Sequence, residues 1–167
     1  TTVSSVAKEI KPELLARNDQ EISFYYRDNG YIANDFASGS KAAANQMCLD
    51  VMEKACEHTG VPNEGDYLRW NILGYGWVCS PYQTDTGAYE YLFRYKYTYV
   101  TTADEENVLD SVVPSVISSL SLSGKSNYEK IKAIYKYLTD NVTYDHAHVN
   151  LGADYPTQFG AYGALVD

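Results

Sequence analysis

The sequence has no two adjacent lysines or arginines. Its 13 cations stand singly among 22 aspartates and glutamates, for a net charge of -9. Nucleic-acid binding draws on clustered cations that neutralise phosphates, so nucleic acid is excluded as a partner, and an anionic membrane surface with it. No apolar run approaches the roughly 20 residues that cross a bilayer. No secretory leader is present, and the chain opens Thr1-Thr2 and not on Met, which reads as a trimmed or processed chain. Cysteine is scarce, at three residues, and does not make a closed disulfide framework.

What is present fits a folded protein. Hydrophobic residues make up 45% of the 167, which argues against disorder. The length suits one domain, or one domain plus part of another. Tyrosine is unusually frequent, at 17 residues. With abundant Ser, Thr and Asn and little Cys, it fits an extracytoplasmic bacterial protein. Cys48 and Cys56 share an expected helix, where eight residues rise ~12 Å. Disulfide Cα atoms lie within about 7 Å, so these two do not bond to each other. Either Cys79 bridges to one of them, or all three are small buried hydrophobes.

The periodicities predict an α+β fold. Val6, Ile10 and Leu14 recur at four-residue steps in a helix over 3–17 that Pro12 kinks or splits. "EISFYYR" alternates as a strand, and "RDNGY" supplies a turn. A helix over 40–59 carries Ala44, Cys48, Val51 and Ala55, with Gly60 to stop it and Pro62 beyond. His58, near its C-terminal end, suits the dipole there. Three strands follow: "YLRWNI", with Leu68, Trp70 and Ile72 against Arg69 and Asn71; "YGWVCS", with Tyr75, Trp77 and Cys79; and, after a "DTG" turn, "YEYLFRYKYTYV". The last puts Tyr89, Tyr91, Phe93, Tyr95, Tyr97 and Tyr99 on one face. The gaps are too short for helical crossovers, so the sheet is antiparallel, with flanking helices.

From Thr102 the period becomes helical. Thr102 with Glu105, and Ser126 with Glu129, form two capping boxes. Val108, Val112, Val116 and Leu120 mark one core-facing stripe, interrupted by Pro114. Tyr128, Ile131, Tyr135, Leu138 and Val142 mark the next. Residues 159–166 read as a closing helix of small residues, where Gly160, Ala161, Gly163 and Ala164 permit close approach of another backbone. Two units follow: an N-terminal α+β region over 1–101, and a helical region over 102–167.

Few residues offer chemistry. The row from Tyr89 to Tyr99 is either a stacking platform for glycan or peptide, or a sheet face covered by the helix over 40–59. "YDHAHVNLGAD" gathers Asp145, His146, His148 and Asp154, but two histidines one residue apart are a weak metal pattern, and no metal or other cofactor is expected. None of the cysteines suits a nucleophile, which needs an exposed, electropositive setting. Cys48 lies on an apolar stripe, Cys56 beside Glu53 and Glu57, and Cys79 mid-strand.

The final third, "YEKIKAIYKYLTDNVTYDHA" followed by "FGAYGALVD", resembles the start of the bacterial transglutaminase-like domain, within the papain-like thiol enzyme superfamily. That family shows a capped helix of this form, then N-V-x-Y-D, a variable loop, and a small-residue helix like A-Y-G-A-L-V. A short G-x-x-V-C segment carrying the nucleophile comes next. The resemblance runs from Thr102 to the end. The aromatic strand and "TTADEENVLD" look like the region before this domain in secreted relatives of Gram-positive bacteria.

The resemblance implies the start of a papain-like fold over 102–167, in an extracellular or cell-surface enzyme performing thiol acyl transfer or amide hydrolysis on a protein or peptide substrate. Cell-wall components are further candidate partners. It places the catalytic Cys, His and Asp beyond these residues, so this chain alone is expected to be inactive. Tyr144, Asp145, Gln158 and Tyr162 would neighbour the site, and the last helix would pack against the cysteine-bearing helix or another chain. The rival expectation is a non-catalytic surface binding module using the aromatic sheet face.

Overall fold

A computed structural model describes residues 1–167, apart from the side chain of Ala153. The chain is α+β and divides into two compact units, Thr1–Tyr99 and Val100–Asp167.

The first unit runs α1 (Val3–Leu15), β1 (Ile22–Asp28), α2 (Tyr31–Ala37), α3 (Ala42–Ala55), α4 (Asp66–Asn71), β2 (Ile72–Gln83) and β3 (Tyr89–Tyr99). The three strands form one antiparallel sheet in the order β1-β3-β2. The aromatic strand is therefore central, with Phe93 opposite both Phe24 and Cys79. Its inner face is the core: Tyr91, Phe93, Tyr95 and Tyr97 are fully buried with Phe24. The rings form a continuous row, Phe24 lying 5.5 Å from Phe93 and 5.3 Å from Tyr95, and Tyr95 5.8 Å from Tyr97 at an interplanar angle of 7°. Val6, Ile10 and Leu14 of α1 and Ala44, Met47, Cys48, Val51 and Ala55 of α3 complete this core. The row is thus interior, not an open platform; only Tyr89 and Tyr99 at its ends are half-buried.

Several local expectations are corrected. Pro12 does not split α1, which Thr2 and Ser5 cap reciprocally. Pro12 and Lys8, whose carbonyl loses its helical donor, both lie on the exposed side, where that carbonyl is open to solvent. The "RDNGY" turn leads into the unforeseen α2. Asp28 organises it by accepting from the backbone N–H of Gly30 (2.6 Å) and Ile32 (3.1 Å) and from the Tyr91 hydroxyl (2.7 Å), which in turn accepts from Ala33 N–H (3.1 Å). Gly30 has φ +93°, and a Cβ there would lie 2.8 Å from the Tyr89 ring. Helix α3 ends at Ala55, leaving His58 outside it. "YLRWNI" is mostly α4 and not a strand: Leu68 and Ile72 are buried, but Trp70 is 82% exposed. Strand β2 is longer than "YGWVCS", and the "DTG" turn closes with Gly87 N–H donating to the Thr84 carbonyl at 2.8 Å.

The second unit contains α5 (Ala103–Ser119), α6 (Asn127–Asn141), 3-10 turns over Gly152–Asp154 and Pro156–Phe159, and α7 (Ala161–Leu165). Both capping boxes form. Helix α5 continues through Pro114 and buries Leu109, with Val112, Val116 and Leu120 half-buried; Val108 is exposed. The inward stripe therefore starts one residue later than expected.

Helix α6 departs furthest from expectation, having no buried residue. Tyr128, Ile131 and Tyr135 are 74%, 67% and 68% exposed, and Leu138 and Val142 are exposed too. Lys130, Ala133 and Tyr137 form its half-buried side. The closing helix is also shorter than expected. Gly160, in extended conformation, separates the 3-10 turn from α7, and Phe159 is exposed.

Candidate functional site

The segment after α6 gathers most of the polar residues singled out above. Asp145 accepts from the backbone N–H of Ala147 (3.0 Å) and His148 (3.1 Å) through Oδ1, and its Oδ2 meets His148 Nδ1 at 2.7 Å. The hydrogen bond from His148 is the main cause that holds the Asp145 carboxyl below its ordinary range. Two backbone donors and one imidazole fix this side chain, so it organises the turn and orients the ring. The His148 ring lies 4.4 Å from that of Tyr155. Tyr155 donates from its hydroxyl to Asp167 Oδ2 at 3.0 Å, and Thr157 Oγ1 lies 3.4 Å from the same oxygen. The carboxylate raises the Tyr155 pKa, because it holds the phenolic proton.

Gln158 belongs to the same cluster. Its Nε2 donates to the carbonyls of Tyr155 (2.9 Å) and Gly152 (3.2 Å), tying together the two 3-10 turns. Tyr144 is exposed and meets the His146 ring edge-on at 4.8 Å. Tyr162 is half-buried in α7 and gives its carbonyl to Val166 N–H at 2.9 Å. Of the four site neighbours, Asp145 and Gln158 are thus linked through His148 and Tyr155. Tyr144 takes another partner, while the Tyr162 carbonyl also accepts from the backbone N–H of Asp167 at 3.4 Å. Sequence reasoning missed Tyr155 and Asp167, which are twelve residues apart and share no local motif.

The arrangement holds an imidazole with a carboxylate on Nδ1, the geometry of an oriented base. All three cysteines belong to the first unit. They are free. Burial pushes the Cys48 thiol up to about 11, with the Tyr95 hydroxyl beside it. Burial pushes Cys79 up to about 12. Cys56 is raised by burial as well, against the pull of Arg69 and Lys11. Burial, and not the neighbouring Glu53 and Glu57, is the main cause. Thiols held protonated in this way are poor nucleophiles at neutral pH. Among the described residues, no three metal-ligating side chains converge, and no helix is long and apolar enough to cross a membrane.

The chain matches no family model, no curated protein and no solved structure.

Proposed function

We propose that the chain is the N-terminal portion of an extracytoplasmic, transglutaminase-like thiol enzyme, one that transfers or hydrolyses acyl groups of protein or peptide substrates. In this reading residues 102–167 begin the catalytic domain, the first unit is an accessory region, and the chain by itself is inactive. The nucleophilic Cys and its His and Asp partners are supplied by sequence that follows the small-residue helix in that family.

The observation that carries the reading is the uncovered stripe of α6. A capped helix with Tyr128, Ile131, Tyr135 and Leu138 on one side is built to be buried, yet that side is open. A following catalytic segment would supply its cover. The order of parts also agrees with the resemblance: α6, then Tyr144-Asp145, then a loop and α7. The state of the three thiols fits a chain with no nucleophile of its own.

The test compares this chain with a longer one that continues through the downstream reading frame. The longer chain should incorporate a dansylated amine into casein, or release ammonia or peptide from it, and iodoacetamide should abolish this. The 167-residue chain should do neither. Activity of the 167-residue chain that disappears on Cys48→Ala, Cys56→Ala or Cys79→Ala would overturn the proposal, as would a longer chain without thiol-dependent activity.

A further inference from the structure

Between β1 and α2, Asn29 is followed by Gly30, the one Asn-Gly pair in the sequence. The fold requires that glycine. Gly30 has φ +93°, and a Cβ there would lie 2.8 Å from a carbon of the Tyr89 ring. A glycine after an asparagine has a chemical consequence. With no side chain in the way, the glycine nitrogen can reach the carboxamide carbon of the asparagine and close a five-membered ring.

The turn favours that closure. Asn29 is exposed, and its carboxamide has no hydrogen-bond partner among the described residues, so it is free to swing toward Gly30. The Gly30 N–H, which loses its proton as the ring closes, donates to Asp28 Oδ1 at 2.6 Å. That lies within the roughly 2.6–3.2 Å reach of a general base. Asp28 is itself held in place. Its Oδ2 accepts from Ile32 N–H at 3.1 Å, and its Oδ1 accepts from the Tyr91 hydroxyl at 2.7 Å. The carboxylate is thus fixed beside the reacting nitrogen.

We infer that Asn29 is a site of spontaneous deamidation, with Asp28 as its base. Gly30 N bonds to Asn29 Cγ while its proton passes to Asp28 Oδ1 and on to solvent. The side-chain nitrogen takes a proton from solvent and leaves as ammonia, and a succinimide remains. Water then opens the ring. Aspartate results where the Cγ–N bond breaks, and isoaspartate where the original peptide bond breaks. One water enters, one ammonia leaves, and nothing is oxidised or reduced. Isoaspartate carries the main chain through one extra methylene, about 1.5 Å of added path. Gly30 caps α2 and already lies against Tyr89, so the added length draws its N–H away from Asp28 and loosens α2. The inference does not depend on the enzyme proposal, because it concerns the other unit and a different chemistry.

The test is peptide-mapping mass spectrometry of the intact chain aged at neutral pH in heavy-oxygen water, with isoaspartyl methyltransferase to count isoaspartate. Asn29 should convert, and faster than in a synthetic peptide spanning residues 26–33, where Asp28 is not held. Asn63 and Asn150, exposed but followed by Glu and Leu, should stay intact over the same period. Asp28→Asn keeps an oxygen to accept from Gly30 N–H and should slow the conversion by about tenfold or more. Its rate should also fall more steeply than the parent's as pH drops from about 8 to about 6, because hydroxide is then the only base. A purely structural role for Asp28 would leave that slope unchanged. Asn29→Gln, whose larger ring closes far more slowly, should keep the amide exchange of α2 constant with age. The inference is overturned if Asn29 stays intact, if it converts no faster than the peptide, or if Asp28→Asn leaves rate and pH slope unchanged. Should Asp28→Asn fail to fold, the comparison of parent with peptide decides alone.

Discussion

Replacing Ile131 by alanine should leave the stability of this chain almost unchanged. The side chain is 67% exposed, so about a third of its surface is removed from water. Full burial of an isoleucine contributes about 1.5–3 kcal/mol, and a third of that is roughly 0.5–1 kcal/mol. Alanine returns a few tenths of a kcal/mol through its better helix propensity. No cavity is left, because no layer lies above the residue. The net cost is then about 0.5 kcal/mol or less, against about 2–5 kcal/mol for the same deletion in a closed core. Because the chain has two units, one global melt does not isolate this effect. Amide exchange resolved to α6, or urea titration followed at α6 resonances, does. A loss of about 2 kcal/mol or more would show the stripe covered and would refute the orientation of the helix. In the longer chain of the enzyme proposal, the same substitution should cost the full amount.

Four further outcomes follow from other parts of the structure. Tyr91→Phe removes the hydroxyl that joins Ala33 N–H to Asp28 and should destabilise the first unit by about 1–3 kcal/mol in urea melts. Tyr97→Phe, which deletes a buried hydroxyl without a partner, should be neutral or stabilising. The Asp145 carboxyl is held below its ordinary range by His148, so its contribution is fully present above the ordinary carboxylate pKa and is lost as pH falls through the lowered one. His148→Ala should move the Asp145 carboxyl titration upward in carbon-detected NMR; an unmoved titration refutes the pairing. Cys48 and Cys79 should resist a thiol-reactive dye at pH 8 in the native chain and react fully in guanidinium, because burial holds both protonated. Rapid native labelling of both would refute that.

The central strand was legible because one signal sufficed. Six aromatics at period two admit no helical reading, and a row so apolar is either core or an unusually large exposed patch. The caps were legible because Thr102 with Glu105 and Ser126 with Glu129 act within one turn. Residues 68–72 were misread for a definite reason. Leu68 and Ile72 are two alternations apart in a strand, but also four residues apart, which is one helical turn. Both readings bury them, and only Trp70 distinguishes the two. Its exposure follows the helix. The stripe of α6 shows a different limit: periodicity gives a face, but not the presence of anything to cover it. The link from Asp145 through His148 and Tyr155 to Asp167 was hidden because it depends on how the chain doubles back.

The small residues near the end of the chain set two effects against each other. Helix propensity alone favours alanine over glycine by about 1 kcal/mol, so Gly163→Ala in α7 should stabilise the helix if nothing else mattered. Packing says the opposite. A Cβ at Gly163 would lie 2.5 Å from the Thr157 carbonyl oxygen and 3.0 Å from its carbonyl carbon. These are backbone atoms of the adjoining turn, which has few ways to yield. At Gly160 a Cβ would lie 2.8 Å from Cγ1 of Val100, a buried β-branched side chain with little rotamer freedom. Overlap of this kind costs about 1–3 kcal/mol, more than the propensity returns. Both glycines therefore serve close approaches made within the second unit itself; at Gly163 the neighbour is another stretch of backbone, as composition alone suggested, and at Gly160 it is a side chain. Gly163→Ala should speed amide exchange in α7 and at Gln158, whose amide holds the adjoining turns. Slower exchange in α7 would mean that propensity prevails and that the turn over Pro156–Phe159 does not lie against it.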